Sequence, residues 1–271
     1  MWPMIDLKKA EKVALKAALL GREVLLSYFG QLSNVAEKNQ AGLVSEADLE
    51  SERVISEYIL KEFPETTIFA EEGSYNKPGQ SPDMQTRQKG VWLIDPLDGT
   101  TNYVHKFPIY CVSIGLEYAG ELVVAACDVP ALKKTYTATR GGGAYADGQR
   151  LSVSSQKTLS ESLLATGFSA YDITPTQLKI FGSLMQEVRG VRRAGSAAFD
   201  LCLVAEGVFD AYWEKNLSPW DTAAGALLVT EAGGVVTTYD SDSYSPFDKT
   251  IVAGNKDIHG LVRDRIQRLS F

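Results

Sequence analysis

The chemistry available to this chain is carried by oxygen. Acidic residues stand where strand-like or loop segments run into helix-like ones: Glu71 and Glu72 after the apolar run 67–70, Asp95 and Asp98 three residues apart, and Asp221 ahead of a long apolar stretch. Pro96 fixes the turn between the two aspartates, and Gly99 admits unusual backbone angles. Carboxylates held that close repel one another unless a proton or a cation intervenes. The Leu97 carbonyl can join them as a hard oxygen ligand for Mg²⁺. Each motif alone also has a plainer explanation. Asp-x-x-Asp-Gly is also a tight turn whose acid caps a helix, Glu71-Glu72 a solvated loop, and Asp221 a helix cap.

The elements that must position these acids follow from periodicity. Ala10, Val13, Ala14, Ala17, Gly21, Val24, Leu25 and Tyr28 recur at helical spacing, with Gly30 as a stop. Ser45 and Asp48 have capping-box spacing and open a second helix that Pro64 ends. Segment 73–90 is polar and without period, and reads as a loop or flap. Residues 91–95 form a hydrophobic strand, 99–102 a turn opening a helix, and 110–118 with 121–129 a hairpin across Ala119 and Gly120. Beyond residue 160 the pattern alternates: strands at 163–166, 191–193, 209–213 and 235–239, helices within 174–188, 196–206, 219–232 and 257–269. The expected organisation is one catalytic unit of two lobes, 1–150 an α+β lobe with the acidic motif and 151–271 an α/β lobe, sharing a cleft.

Composition narrows the function. The 271 residues are 45% apolar with a net charge of −7, which argues against non-specific nucleic-acid binding. The two histidines, His105 and His259, leave zinc chemistry almost without ligands. Cys111, Cys127 and Cys202 lie far apart and read as buried thiols of a reducing compartment. With no membrane-length apolar run and no signal-peptide pattern at the N-terminus, the expected location is the cytoplasm.

Longer motifs add a resemblance. WLIDPLDGTTNYV at 92–104 and WDTAAGALLVTEAGG at 220–234 closely resemble the two signatures of the inositol monophosphatase family; VSEAD at 44–48, FAEE at 69–72, GSAAFDLCLVAEG at 195–207 and YWE at 212–214 fall in the order that family has. The resemblance implies a five-layer α-β-α-β-α sandwich and a Mg²⁺-dependent, lithium-sensitive phosphatase. It implies one Mg²⁺ on Glu71, Asp95 and the Leu97 carbonyl, a second on Asp95, Asp98 and Asp221, and a weaker third leaning on Glu71 through waters. Four carboxylates balance two such ions. It further implies attack by a water that Thr100 orients, with Thr100 paired to Asp48, and substrate contacts from Asp98, Gly99, Thr100, Gly195, Ser196, Ala197, Glu214 and Asp221. For Thr100 a simple N-cap is the plainer role, and both roles can coexist. For Glu214 the plainer role is a solvated strand-end acid.

The function expected on this basis is hydrolysis of inositol 1-phosphate to myo-inositol and phosphate by a homodimer. Fructose-1,6-bisphosphatase, histidinol-phosphatase and 3′(2′),5′-bisphosphate nucleotidase activities use similar motifs. An alternative of another class is a regulatory scaffold for a protein or RNA partner, with Arg189, Arg192, Arg193, Arg263, Arg265 and Arg268 as its basic patch.

Overall fold

A computed structural model of the chain describes residues 5–37, 43–73, 81–168 and 173–270. Asp6 caps helix α1 (Leu7–Tyr28) by accepting the Lys9 N–H. The helix buries Ala10, Ala14, Ala17 and Gly21, small residues that let it lie close to the elements beneath. A hairpin unannounced by the sequence follows, β1 (Val35–Glu37) against β2 (Leu43–Ser45), around residues 38–42 that lie outside the described ones. Helix α2 (Glu46–Glu62) opens on the expected Ser45–Asp48 capping box.

Strand β3 (Thr67–Ala70) leads into the segment expected to be a loop. Part of it, 74–80, is outside the described residues, and 84–89 corrects the expectation: helix α3 (Met84–Lys89) is capped by Asp83. Six residues are too few to show a hydrophobic period, so only the cap could have revealed it. Then come β4 (Val91–Asp98), α4 (Thr100–Val104), β5 (Cys111–Tyr118), β6 (Glu121–Val129), β7 (Lys134–Thr139), β8 (Gly143–Ala146) and β9 (Gln149–Arg150). The expected β5–β6 hairpin forms, with Ala119 and Gly120 both at positive φ. Strands β3 to β9 make one seven-stranded sheet in chain order, antiparallel except for the parallel pair β3–β4.

The second half supplies β10 (Leu163–Thr166), α5 (Pro175–Glu187), β11 (Gly190–Arg192), α6 (Ala197–Ala205), β12 (Ala211–Lys215), α7 (Pro219–Glu231), β13 (Val235–Thr237), β14 (Thr250–Gly254) and α8 (Lys256–Ser270). Its five-stranded sheet runs β11-β10-β12-β14-β13. Strand β14, after a polar stretch, was not expected, yet it is what joins β12 to β13.

Three apolar contacts stack these elements. One face of the large sheet packs Trp92, Ile94, Val112, Ile114 and Val124 against α1 and α2. The other face meets α6 and α7, which sandwich Leu201, Cys202, Leu227 and Leu228 between it and Tyr212, Ile251 and Ala253 of the small sheet. The outer face of the small sheet packs Leu164, Trp213 and Val252 on Ile180 and Leu184 of α5 and Ile258, Val262 and Ile266 of α8. The result is the expected α-β-α-β-α sandwich, with all three cysteines free and buried. Among the described residues, no helix is long and apolar enough to cross a membrane.

The central helices approach closely at Gly225, where an added Cβ would stand 2.4 Å from Leu201 Cβ. Gly225→Ala gains about 1 kcal/mol of helix propensity but overpacks the α6–α7 contact by about 1–3 kcal/mol, so a net loss is expected. A lower urea midpoint at unchanged slope is the expected result; a higher midpoint would mean that α6 and α7 are not packed as described.

Candidate active site

The acids converge because two irregularities interrupt otherwise regular pairing. Parallel pairing of β3 with β4 continues one residue past Ala70, the Glu71 N–H donating to Ile94 O at 3.1 Å, which brings Glu71 level with Asp95. Beyond Asp95 the β4–β5 register slips, with Asp95 opposite Ser113 but Asp98 opposite Cys111. Pro96 and Leu97 thus face a single residue in a bulge, a place where a proline's missing N–H does no harm. Asp95 Oδ1 accepts the Leu97 N–H at 3.0 Å. Gly99, at φ 93°, turns the chain into α4; a Cβ there would meet Ile109 O at 3.0 Å and Gly195 O at 3.3 Å. Gly99 is thus the N-cap, and Thr100, whose plainer role was N-cap, is the first helical residue.

Thr100 Oγ1 lies 3.1 Å from both Asp48 Oδ1 and Leu97 O. Its single proton goes to the carboxylate by preference, since charge-assisted bonds are stronger. Asp48 is buried, and its Oδ2 accepts the Ser45 N–H at 2.8 Å and Ser45 Oγ at 2.6 Å. Two more side chains on the same face of α2 reach toward the acidic loops. Ser51 Oγ donates to Pro96 O at 2.9 Å, and Glu52 Oε2 accepts the Glu72 N–H at 2.7 Å.

From the other side, Asp98 Oδ2 accepts Ser196 Oγ at 2.8 Å and the Ala198 N–H at 2.7 Å. Asn102 Nδ2 donates to Ile109 O at 2.7 Å and Ala194 O at 2.8 Å, tying the turn after Gly99 to the loop before α6. Asp221 Oδ2 accepts the Ser218 N–H at 2.7 Å at the start of α7. The capping and cation readings are therefore compatible. Asp95, Asp98 and Asp221 each commit one oxygen to protein donors.

Electrostatics show that these acids share a site. Asp95 is held well above the ordinary carboxylate range by burial and then by the charges of Glu71, Asp98 and Asp221. Asp221 is raised by burial, Glu71 and Asp98. Asp98 is pushed up to about 6 by burial, against the opposing pull of its bonds to Ser196 and Ala198. Among the described residues no three His, Cys, Asp or Glu side chains are gathered at metal-ligand spacing around one point. The donor set nevertheless fits a hard divalent cation: second carboxylate oxygens and one backbone carbonyl, with the nearest sulfur, Cys111 Sγ, 3.9 Å behind Asp98 Oδ2.

Beside the acids lies a cavity of about 170 Å³ lined by Asp98, Gly195, Ser196, Ala197, Glu214 and Asp221, six of the eight expected substrate residues. Gly99 and Thr100 are not in its lining. Glu214 is not a solvated strand-end acid: it is 8% exposed and receives a hydrogen bond from Tyr212 Oη. Burial and the charge of Asp98 push it up to about 7, with the Tyr212 bond and Arg193 opposing. Gly167 makes room for it, since a Cβ there would fall 2.0 Å from Glu214 Oε2.

Sequence reasoning missed Ser51, Glu52, Asn102, Gly167, Tyr212 and Asp200. Asn102, Tyr212 and Asp200 sit inside the quoted motifs, where their types could have been questioned. Ser51 and Glu52 follow Asp48 at helical spacing, the one signal for them. Gly167 had none, because its partner is 47 residues away.

Comparison with known proteins agrees with this architecture. A model of the inositol monophosphatase family matches residues 6–270. The fructose-1,6-bisphosphatase/inositol-1-monophosphatase of Aquifex aeolicus is 40% identical over 96% of this chain and 96% of its own. Nus factor SuhB of Pseudomonas aeruginosa is 40% identical over 94% of this chain and 92% of its own. The crystal structure of the extragenic suppressor protein suhB from Bartonella henselae superposes with a TM-score of 0.87 at 35% identity, covering 96% and 98% of the two chains.

The upward shift of Glu214 has a consequence in the metal-free protein. A folded-state pKa above the unfolded value favours folding fully below that unfolded value, and this contribution is lost as pH rises through about 7. Glu214→Gln mimics the protonated acid. In chelator its melting temperature is expected to match wild type near pH 5 and to exceed it above about pH 7. A gap that is constant with pH would show that the buried acid is not strained.

Proposed function

The chain belongs to the inositol monophosphatase family, and from that membership we propose that it is a Mg²⁺-dependent phosphomonoesterase that hydrolyses inositol 1-phosphate to myo-inositol and phosphate. The observation that carries this reading is that Asp98 and Asp221 line one cavity and act through charge on Asp95 beside them, each of the three with one oxygen fixed by the protein. Glu71, Asp95 and the Leu97 carbonyl would hold one ion, and Asp95, Asp98 and Asp221 a second, with a weaker third near Glu71. When bound, Mg²⁺ supplies the Lewis-acid charge that makes water nucleophilic near neutral pH and offsets charge on the leaving oxygen.

The chain's own groups do the rest. Because Thr100 Oγ1 gives its proton to Asp48, its lone pairs accept a hydrogen from the attacking water and turn that water's own lone pair toward phosphorus. Gly195 and Ser196, just ahead of α6, offer backbone N–H groups to phosphate or hydroxyl oxygens, with Ala197 beside them. Glu214 accepts hydrogen bonds from ring hydroxyls. No covalent enzyme intermediate is needed.

The same reading includes a cytoplasmic homodimer, inhibition by lithium, and a division into lobes 1–150 and 151–271. The division is supported by the sheets: the seven-stranded one is drawn wholly from the first lobe and the five-stranded one from the second. The names of relatives divide between inositol-1-monophosphatase, fructose-1,6-bisphosphatase and Nus factor SuhB, so substrate choice and a regulatory role are what experiment must separate. Against the basic-patch reading, Arg263 is engaged to Asp242 and Arg265 to Glu187.

Phosphate release from inositol 1-phosphate, fructose 1,6-bisphosphate, histidinol phosphate and 3′-phosphoadenosine 5′-phosphate, with Mg²⁺ and with chelator, tests the proposal. Inositol 1-phosphate is expected to turn over fastest and only with Mg²⁺, Asp95→Asn to abolish turnover, and Thr100→Val to lower kcat by roughly a hundredfold or more. A different preferred substrate would replace the name and keep the mechanism. Turnover unaffected by chelator or by Asp95→Asn would overturn the mechanism itself.

A further inference from the structure

Asp200 has no part in the roles described above. It lies in the first turn of α6, 1% exposed, and its Oδ1 meets no hydrogen-bond donor. Such a carboxylate is costly to bury, and native structures keep one rarely and for a reason. Its own helix offers none, since the N–H groups there are taken: Ala198 donates to Asp98, and Asp200 itself to Ser196 O at 3.0 Å. Arg193 lowers its burden through charge but directs Nη2 to Phe168 O at 2.7 Å.

What Asp200 does face is the cavity, which it lines together with Glu214, Arg193 and Phe168. That end is rich in acceptors: the acids Asp200 and Glu214 act on each other through charge, with one arginine against them. A phosphoryl group entering there would be repelled, whereas a neutral group carrying several O–H donors would satisfy the acids. Ser196, whose Oγ donates to Asp98, belongs with the part of the lining that adjoins the acidic cluster.

Resting on the phosphatase reading above, we propose that Asp200 is a specificity residue: its carboxyl accepts a hydrogen bond from a hydroxyl of the polyol part of the substrate, distinct from the one bound by Glu214. The two acids together read adjacent hydroxyls and select an uncharged, polyhydroxylated leaving group over one bearing a second phosphate.

The test compares kcat/KM for inositol 1-phosphate and for p-nitrophenyl phosphate, a phosphomonoester without hydroxyls, in wild type, Asp200→Ala and Asp200→Asn. Asp200→Ala is expected to lower the value for inositol 1-phosphate about ten- to a hundredfold, mainly through KM, and to leave p-nitrophenyl phosphate within about twofold. Asp200→Asn, which keeps an acceptor in place, is expected to recover most of the loss. Where Asp200→Ala does not fold, Asp200→Ser takes its place as the truncation. Equal losses on both substrates would assign Asp200 to the reacting end or to the fold, and no loss on either would leave it without a substrate contact; each result overturns the proposal. If wild type prefers another hydroxylated phosphate, the ratio is taken with that substrate, so an error in the named substrate is seen in wild type and an error about Asp200 in the ratio.

Discussion

Mutual repulsion among buried carboxylates is the constraint that the rest of this molecule is built to withstand. Asp95, Asp98 and Asp221 are all raised in pKa by one another or by Glu71; Asp95 and Asp98 are buried and Asp221 half-buried. Left on flexible segments, such groups would swing apart into solvent. They stay because each is rooted in a different rigid element: Glu71 past the end of β3, Asp95 and Asp98 on a bulge of β4, and Asp221 at the start of α7. Two of those elements are paired strands of one sheet, and α7 packs on that sheet's face. The five layers are thus the means by which like charges are kept close together.

Helix α2 serves the same end through hydrogen bonds. Asp48, Ser51 and Glu52 occupy positions i, i+3 and i+4, which share one helical face. They reach Thr100, Pro96 O and the Glu72 N–H respectively. One straight element therefore sets the spacing of three loops that carry acids or their neighbours. A single capping box fixes where that element begins, and Asp48 is a member of both the box and the Thr100 pair. Local helix chemistry and site geometry are carried by the two oxygens of one carboxylate.

This double use explains what could be read from the sequence and what could not. The capping box at Ser45, the β5–β6 turn and the apolar face of α1 are local patterns, and each appears as expected. The cap and cation explanations for Asp95 and Asp221 could not be separated in advance because they do not exclude each other: each acid commits one oxygen to a backbone N–H. Helix α3 fell below the length at which a helical period is visible. Gly167 beside Glu214 and Glu52 beside Glu72 depend on contacts between segments distant in the chain, for which residue type gives little warning. Asp200 stood in plain view within the motif at 195–207, but its burial without a donor is a property of the folded cavity alone.

The two halves of the cavity differ in kind, and α6 is the seam between them. Its N-terminal residues Ser196 and Ala198 fix Asp98, a member of the acidic cluster shared with the large sheet. One turn further along the same helix Asp200 faces Glu214 of the small sheet, whose carboxylate sits over Gly167 and under Tyr212. The reacting end is thus bound by constraints from three layers at once and tolerates little change. The other end is built from a few side chains of the second half, Arg193, Asp200 and Glu214. A fold arranged this way keeps its chemistry constant while the group it releases is free to vary, which is why the family's signatures announce a phosphatase more clearly than they announce its substrate.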